Sequence, residues 1–230
     1  GGTLPEDPVA ALPLFAAERN FPPFAELKPI PSMPDPLQML EGKVITSQGQ
    51  WMEERKPELK ALFQHYMYGT LPPRPEKVTF KVEHTKNDFL GGKATKKEVT
   101  IRYSPEGTPP IHLTLVIPNE RTGPAPTCID LDPDKNDFSD GLHPFVLKGK
   151  EATPQDPGSI AVWAWGYHRA VDYVVQDKDL DANRIAVVGH SRLGKTALLA
   201  GAYDERIALV IPSQSGCGGA APSRGPIDRE

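Results

Sequence analysis

The apolar positions of this chain change period part-way along it. In residues 78–83, 97–103 and 111–118 they alternate with polar ones, and turn residues separate the three segments. A period of two belongs to strands, so these segments predict an antiparallel meander. From Ile160 to Val175 the spacing becomes helical, through Ile160, Trp163, Tyr167, Val171 and Val174. A short apolar run, 184–188, then reads as a strand buried on both faces. A helix over 193–203 and a second buried strand over 207–211 follow, so the later part predicts parallel βαβ construction. Ahead of the meander, Ser47 and Gln50 fit a capping box. A helix should follow through Trp51, Leu59, Leu62, Phe63 and Tyr66, kinked or restarted at Pro57 and ended by Gly69.

Composition refines this picture. The chain has 230 residues, enough for one sizeable domain, with 38% apolar and 24% charged residues. Its 26 prolines crowd the first third. Residues 1–46 therefore read as an extended arm, with Phe21, Phe24, Leu27 and Ile30 placed to pin it to a body spanning 47–230. The net charge of −4 argues against a nucleic-acid-binding face. No apolar run reaches the ~18 residues of a membrane span. No signal peptide is visible at Gly1, and that start is read as a processed one. Cys128 and Cys217 carry no metal-type spacing and are expected to be small buried residues.

The chemistry concentrates at Gly189-His190-Ser191-Arg192-Leu193-Gly194, where the first buried strand should meet the next helix. A serine on such a turn is a nucleophile elbow: the turn lifts Oγ off the sheet, and the helix N-terminus faces the developing oxyanion. The usual pattern is G-x-S-x-G, and here the second glycine comes one position late. Two rival readings cover the same residues. Gly189 to Thr196 also satisfies G-x-x-x-x-G-K-[ST], the phosphate-cradling loop of nucleotide-binding proteins. Its late position, the lack of a following strand ending in Asp, and the bulk of His190 and Arg192 count against that reading. Alternatively, Ser191 is an ordinary helix N-cap.

These residues, with Lys195-Thr196-Ala197-Leu198 and Ser215-Gly216-Cys217-Gly218-Gly219-Ala220, resemble the bacterial glucuronoyl esterases of carbohydrate esterase family 15. Trp163-Ala164-Trp165-Gly166, Asp130-Leu131-Asp132-Pro133-Asp134, Gly141-Leu142-His143-Pro144 and Asp179-Leu180-Asp181 extend the likeness over nearly all of 129–224. The late glycine is normal in that family. The resemblance implies an α/β-hydrolase fold: a three-layer αβα sandwich around a mostly parallel sheet, with antiparallel N-terminal strands. It implies hydrolysis of esters joining the (4-O-methyl-)glucuronic acid side chains of xylan to lignin alcohols, through an acyl-enzyme. Ser191 would be the nucleophile, Arg192 would stabilise the oxyanion and Lys195 would bind the sugar. No cofactor or metal is implied. The partners implied are a glucuronoxylan or lignin–carbohydrate ester, with no nucleic acid and no membrane. A monomer, secreted or periplasmic, is expected.

The sequence also departs from the family. Gln214 stands where many members carry the acidic member of the triad, and no histidine follows Ser191. The hydrolase order puts acid and base after the serine. The base histidine and the acid are therefore expected outside these residues, with segments missing after Cys128 and after Glu230. His143 could approach as a base, and a surface or hydrogen-bonding role is preferred for it. Other constellations read blandly. Asp130, Asp132, Asp134, Asp137 and Asp140 form a solvated loop without the Gly and Glu of a calcium site. Trp163, Trp165 and Tyr167 read as core packing, and Lys93, Lys96 and Lys97 as a solvated turn. Acetylxylan or another carbohydrate ester is the alternative substrate.

Overall fold

The computed structural model describes residues 21–30, 32–132, 141–149 and 151–221. The arm before Phe21, and Asp134, Asp137 and Asp140 of the acidic loop, lie outside the described residues. Ser47 caps the first helical run as expected. Its Oγ accepts from the Gln50 N–H at 3.2 Å, and Gln50 Oε1 accepts from the Thr46 N–H at 2.8 Å. After the opening turn Gln48–Gln50 the backbone widens into a π-turn over Trp51–Arg55, then tightens into α1 (Lys56–Phe63). Pro57 has no N–H for the helical ladder, which accounts for the restart. A second π-turn, Gln64–Tyr68, ends at Gly69 with φ 74°. A Cβ there would lie 1.9 Å from the Asp156 carbonyl oxygen, so only glycine fits.

The run docks through polar groups rather than its apolar stripe. Glu58 is fully buried and takes Arg55 Nη1 at 2.6 Å, while Phe63 stays 48% exposed. The arm is pinned differently from the sequence reading. Phe21, Met39 and Ile45 are buried, whereas Phe24, Leu27 and Ile30 are exposed.

The meander forms as β1 (Val78–Phe89), β2 (Ala94–Tyr103) and β3 (Ile111–Pro118), antiparallel in that order. Val99, Ile101, Tyr103, Leu115 and Ile117 turn into the core. The later part is the parallel sheet β4 (Ala125–Ile129), β5 (Leu180–His190) and β6 (Leu209–Ser213), with β5 central. Between β4 and β5 come α2 (His143–Leu147) and α3 (Ser159–Val174), and α4 (Arg192–Tyr203) joins β5 to β6. This is the expected α/β class. Ile129, Ile185 and Val187 share one core with α3 and α4. The in-register positions Cys128, Leu209 and Ile211, on the other face, are exposed. Of the three expected layers the described residues thus supply the sheet and the helices on one face. Among the described residues, strands read as buried on both faces are covered on one.

The antiparallel strands do not flank the parallel ones. They form a separate sheet, and the link after β3 crosses to the start of β5: Arg121 reaches Asp179 at 2.7 Å, and the Ala125 N–H donates to the Asp179 carbonyl at 2.8 Å. Lys97 makes the same crossing. Its ammonium bonds Asp177 and Asp179 at 2.8 Å each, with the side chain only 14% exposed, so it is a half-buried tie rather than part of a solvated turn. Both cysteines are exposed, against expectation. β4 pairs without interruption across Cys128 and Ile129. Among the described residues no helix is long and apolar enough to cross a membrane.

Candidate active site

β5 ends at His190 and α4 begins at Arg192, so the whole turn between strand and helix is Ser191. Its backbone sits at φ 55° and ψ −121°, outside the regions open to residues with a Cβ. Two bonds hold it there. The Ser191 N–H donates to the Ser213 carbonyl at 2.9 Å, and its own carbonyl accepts from the Lys195 N–H at 3.2 Å. The serine is exposed at the head of α4. This is the geometry of a nucleophile elbow, with the Arg192 N–H as the first donor beyond the hydroxyl.

The two flanking glycines are needed for contact, not flexibility. A Cβ on Gly189 would lie 2.2 Å from the Leu193 carbonyl oxygen. One on Gly194 would lie 2.8 Å from the Ser213 oxygen and 3.0 Å from Ser215 Cβ. The glycine three residues after Ser191 is therefore the one facing the end of β6, which explains the late position in the motif.

Both rival readings fail on this geometry. An ordinary N-cap has an extended backbone and a side chain that accepts from the first turn. Ser191 has neither. A phosphate-wrapping loop needs free backbone between strand and helix. Here residues 192–196 are already helical, and the Thr196 hydroxyl donates back to the Arg192 carbonyl at 3.0 Å.

Arg192 lies over the Trp163 ring, 5.5 Å from its centroid. Trp165 and Tyr167 are core residues as expected, and Trp163 is half-buried beneath the arginine. A cation in the first turn opposes the helix dipole, so Arg192 costs α4 stability rather than adding to it. Lys195 extends over the loop after β6, its Nζ 3.9 Å from where a Cβ on Gly216 would stand.

The sequence comparisons fall on this same region. A family model described as "Glucuronyl esterase, fungi" matches residues 145–228. The solved glucuronoyl esterase from Solibacter usitatus is 31% identical, with a TM-score of 0.75, over 86% of this chain and 67% of that one. The chain belongs to the glucuronoyl esterases, carbohydrate esterase family 15. The carbohydrate esterase MZ0003, from an unknown prokaryotic organism, is 31% identical over 92% of the chain. A third relative of the family is the Sporotrichum thermophile glucuronoyl esterase, solved as a serine-to-alanine mutant in complex with methyl 4-O-methyl-β-D-glucopyranuronate. It is 26% identical with a TM-score of 0.55, over 82% of this chain and 54% of that one. The chain spans 65% of the length of MZ0003. That alignment runs over 280 positions, so it includes stretches of the relative with no counterpart here.

Within the esterase frame, three of the described histidines are tied to partners of their own. His190 Nε2 pairs with Gln214 Oε1 at 2.8 Å. The buried His143 pairs with the Pro157 carbonyl at 3.1 Å, so it takes the hydrogen-bonding role and not the surface one. His168 Nε2 meets the Ala200 carbonyl at 3.0 Å, and its burial lowers its pKa. Gln214 takes a left-handed φ of 44° just past β6. Asp130 and Asp132 are exposed, as a solvated loop should be. Sequence reasoning missed two neighbours of the site, the arginine-bearing ring of Trp163 and the helix end at Met67 and Tyr68. Neither has a local signal, because both arrive from distant parts of the chain.

Proposed function

We propose that the chain carries the nucleophile half of a serine esterase acting on glucuronate esters. The observation that carries this is Ser191: exposed, strained and seated between β5 and α4. In the proposed route, Ser191 Oγ attacks the uronate carbonyl and the alcohol leaves. Water then hydrolyses the acyl-enzyme, releasing the uronic acid and regenerating the hydroxyl. Donation from the Arg192 N–H, with its guanidinium nearby, would stabilise the tetrahedral oxyanion. Lys195 would bind the sugar hydroxyls. A histidine must take the serine proton and pass it to the leaving alcohol. Because His143, His168 and His190 have other partners, we place the base and acid outside these 230 residues. The greater length of the relatives supports that placement.

The methyl uronate bound by the Sporotrichum esterase favours a glucuronate ester over an acetylated sugar. We further propose the esters between xylan glucuronate and lignin alcohols as substrate, and a secreted or periplasmic monomer, since such a polymer stays outside the cell. The arm before residue 47 and one hydrolase domain after it complete the proposal, with the omitted stretch after Cys128. An intact mass close to 25.1 kDa would count against omission.

Turnover of benzyl glucuronate is the test, with an acetylated xylose as comparison. Ser191→Ala is expected to reduce uronate turnover by about 10⁴-fold with an unchanged fold. Hydrolysis of the acetate alone would overturn the substrate assignment, and full activity in Ser191→Ala would overturn the mechanism.

A further inference from the structure

The loop that follows β6 folds back on itself under the elbow. Gly219 N–H donates to the Gly216 carbonyl at 2.9 Å, and Ala221 N–H to the same oxygen at 3.2 Å. The buried Ser215 braces it from inside, its Oγ accepting from the Ala220 N–H at 2.9 Å. Gly216 and Gly218 have positive φ, 61° and 74°, and present bare backbone. Across that backbone lies Lys195: a Cβ on Gly218 would stand 3.6 Å from Lys195 Cε and 3.3 Å from Met67 Cε. The lysine tip therefore rests on a shelf of glycine backbone, with Met67 beside it.

One side-chain bond ties this shelf to the helical run before the meander. The Tyr68 hydroxyl donates to the Gly218 carbonyl at 2.6 Å, across 150 residues of sequence. Burial pushes the Tyr68 pKa up, so the phenol stays a neutral donor at working pH. The tyrosine is itself held in place. It is the last residue of the Gln64–Tyr68 turn, its ring stacks on Phe63 at 6.4 Å, and the Gly158 N–H donates to its carbonyl at 2.9 Å.

We propose that Tyr68 is a positioning residue for uronate binding: by fixing the Gly218 carbonyl it sets the height of the shelf and thereby where the Lys195 ammonium meets the sugar. This rests on the reading of Lys195 as the sugar-binding cation. Tyr68 would touch no substrate atom. Without its hydroxyl, the shelf loses its tie to the helical run, and Lys195 is spread over more positions.

Titration calorimetry of the intact protein with sodium glucuronate tests this without requiring turnover. Tyr68→Phe keeps the ring and removes the bond. Its Kd is expected to rise about five- to tenfold, with the melting temperature shifting by only a few degrees. Lys195→Ala is expected to weaken binding at least as much. Adding Tyr68→Phe to Lys195→Ala should then change Kd by less than twofold, since the group being positioned is gone. A merely structural tyrosine would weaken binding equally in both backgrounds. Gly218→Ala, which crowds Met67 and Lys195, is the second variant and should also raise Kd, should Tyr68→Phe prove insoluble. If Lys195→Ala binds as the wild type does, the lysine reading falls and the proposal with it. If Lys195→Ala weakens binding while Tyr68→Phe does not, or the two effects add, the lysine reading stands and the role of Tyr68 is refuted.

Discussion

Ser191 holds a backbone conformation that glycine reaches freely and that costs a residue with a Cβ on the order of 1–3 kcal/mol. The strain persists because bonds from Ser213 and Lys195 fix both sides of the residue. Replacing Ser191 by glycine relieves the strain and deletes the hydroxyl. Ser191→Gly is expected to be inactive yet more stable by about 1 kcal/mol, read from urea unfolding. A loss of stability would mean that the side chain, not the turn, was holding the elbow. That this residue is the candidate nucleophile was legible from its motif alone. Its torsion angles were not, because they are imposed by β6 and α4 together.

At the scale of elements, the strand–helix junction depends on backbone contact. A Cβ on Gly189 would overlap the Leu193 carbonyl oxygen, which is main chain and cannot rotate away. Gly189→Ala is expected to cost about 3 kcal/mol or more, measured by the same unfolding, and to abolish activity by moving Ser191. The contact between α3 and α4 carries a pH dependence. His168 is buried against the Ala200 carbonyl, facing Asp204, Arg169 and Arg206. Burial lowers its folded pKa below the unfolded value near 6.5, and the two arginines add to that while Asp204 opposes it. The unfolded chain therefore takes up the proton first as pH falls. Stability from the neutral ring is full above about pH 6.5 and declines below it, by at most about 1.4 kcal/mol per pH unit. The melting temperature should drop between pH 7 and pH 5, and His168→Gln should flatten that slope. An unchanged slope in the variant would assign the effect to other groups. Asp204 acts lower down: burial raises its pKa, but the hydrogen bonds from Arg206 outweigh this and hold it below the usual carboxylate range.

Across the whole molecule, two sheets of different origin share one core, and a few charged groups join them. Lys97 reaches from β2 to Asp177 and Asp179 in the link between α3 and β5. Its bonds are the main reason the Asp179 carboxylate titrates low; at Asp177 they overcome the opposing effect of burial, with help from Tyr173. Lys97→Met would leave the two carboxylates together with less compensation. A loss of about 2–4 kcal/mol is expected, smaller in the Asp177→Asn background, and a double-mutant cycle would measure the coupling. Since this tie lies at the start of β5 and Ser191 at its end, the variant should keep its uronate KM at temperatures where it remains folded.

The period of two in the meander, the helical spacing in α3 and the short apolar runs flanking α4 were enough to place β1 to β3, α3, β5, α4 and β6, because each pattern follows from which faces of an element meet the core; β4 and α2 carried no such pattern. The elbow and its family likeness were equally local, being a matter of a few residues in a fixed order. Other features were beyond reach of the sequence. The separation of the two sheets, the polar face by which α1 docks, the pairing of Lys97 with Asp177 and Asp179 and the exposure of both cysteines all depend on which distant segments come together. So does the arrival of Trp163 at Arg192 and of Tyr68 beneath Lys195. Tertiary structure decided these because burial and charge compensation are properties of a neighbourhood, and the chain alone specifies neighbours only within a few residues.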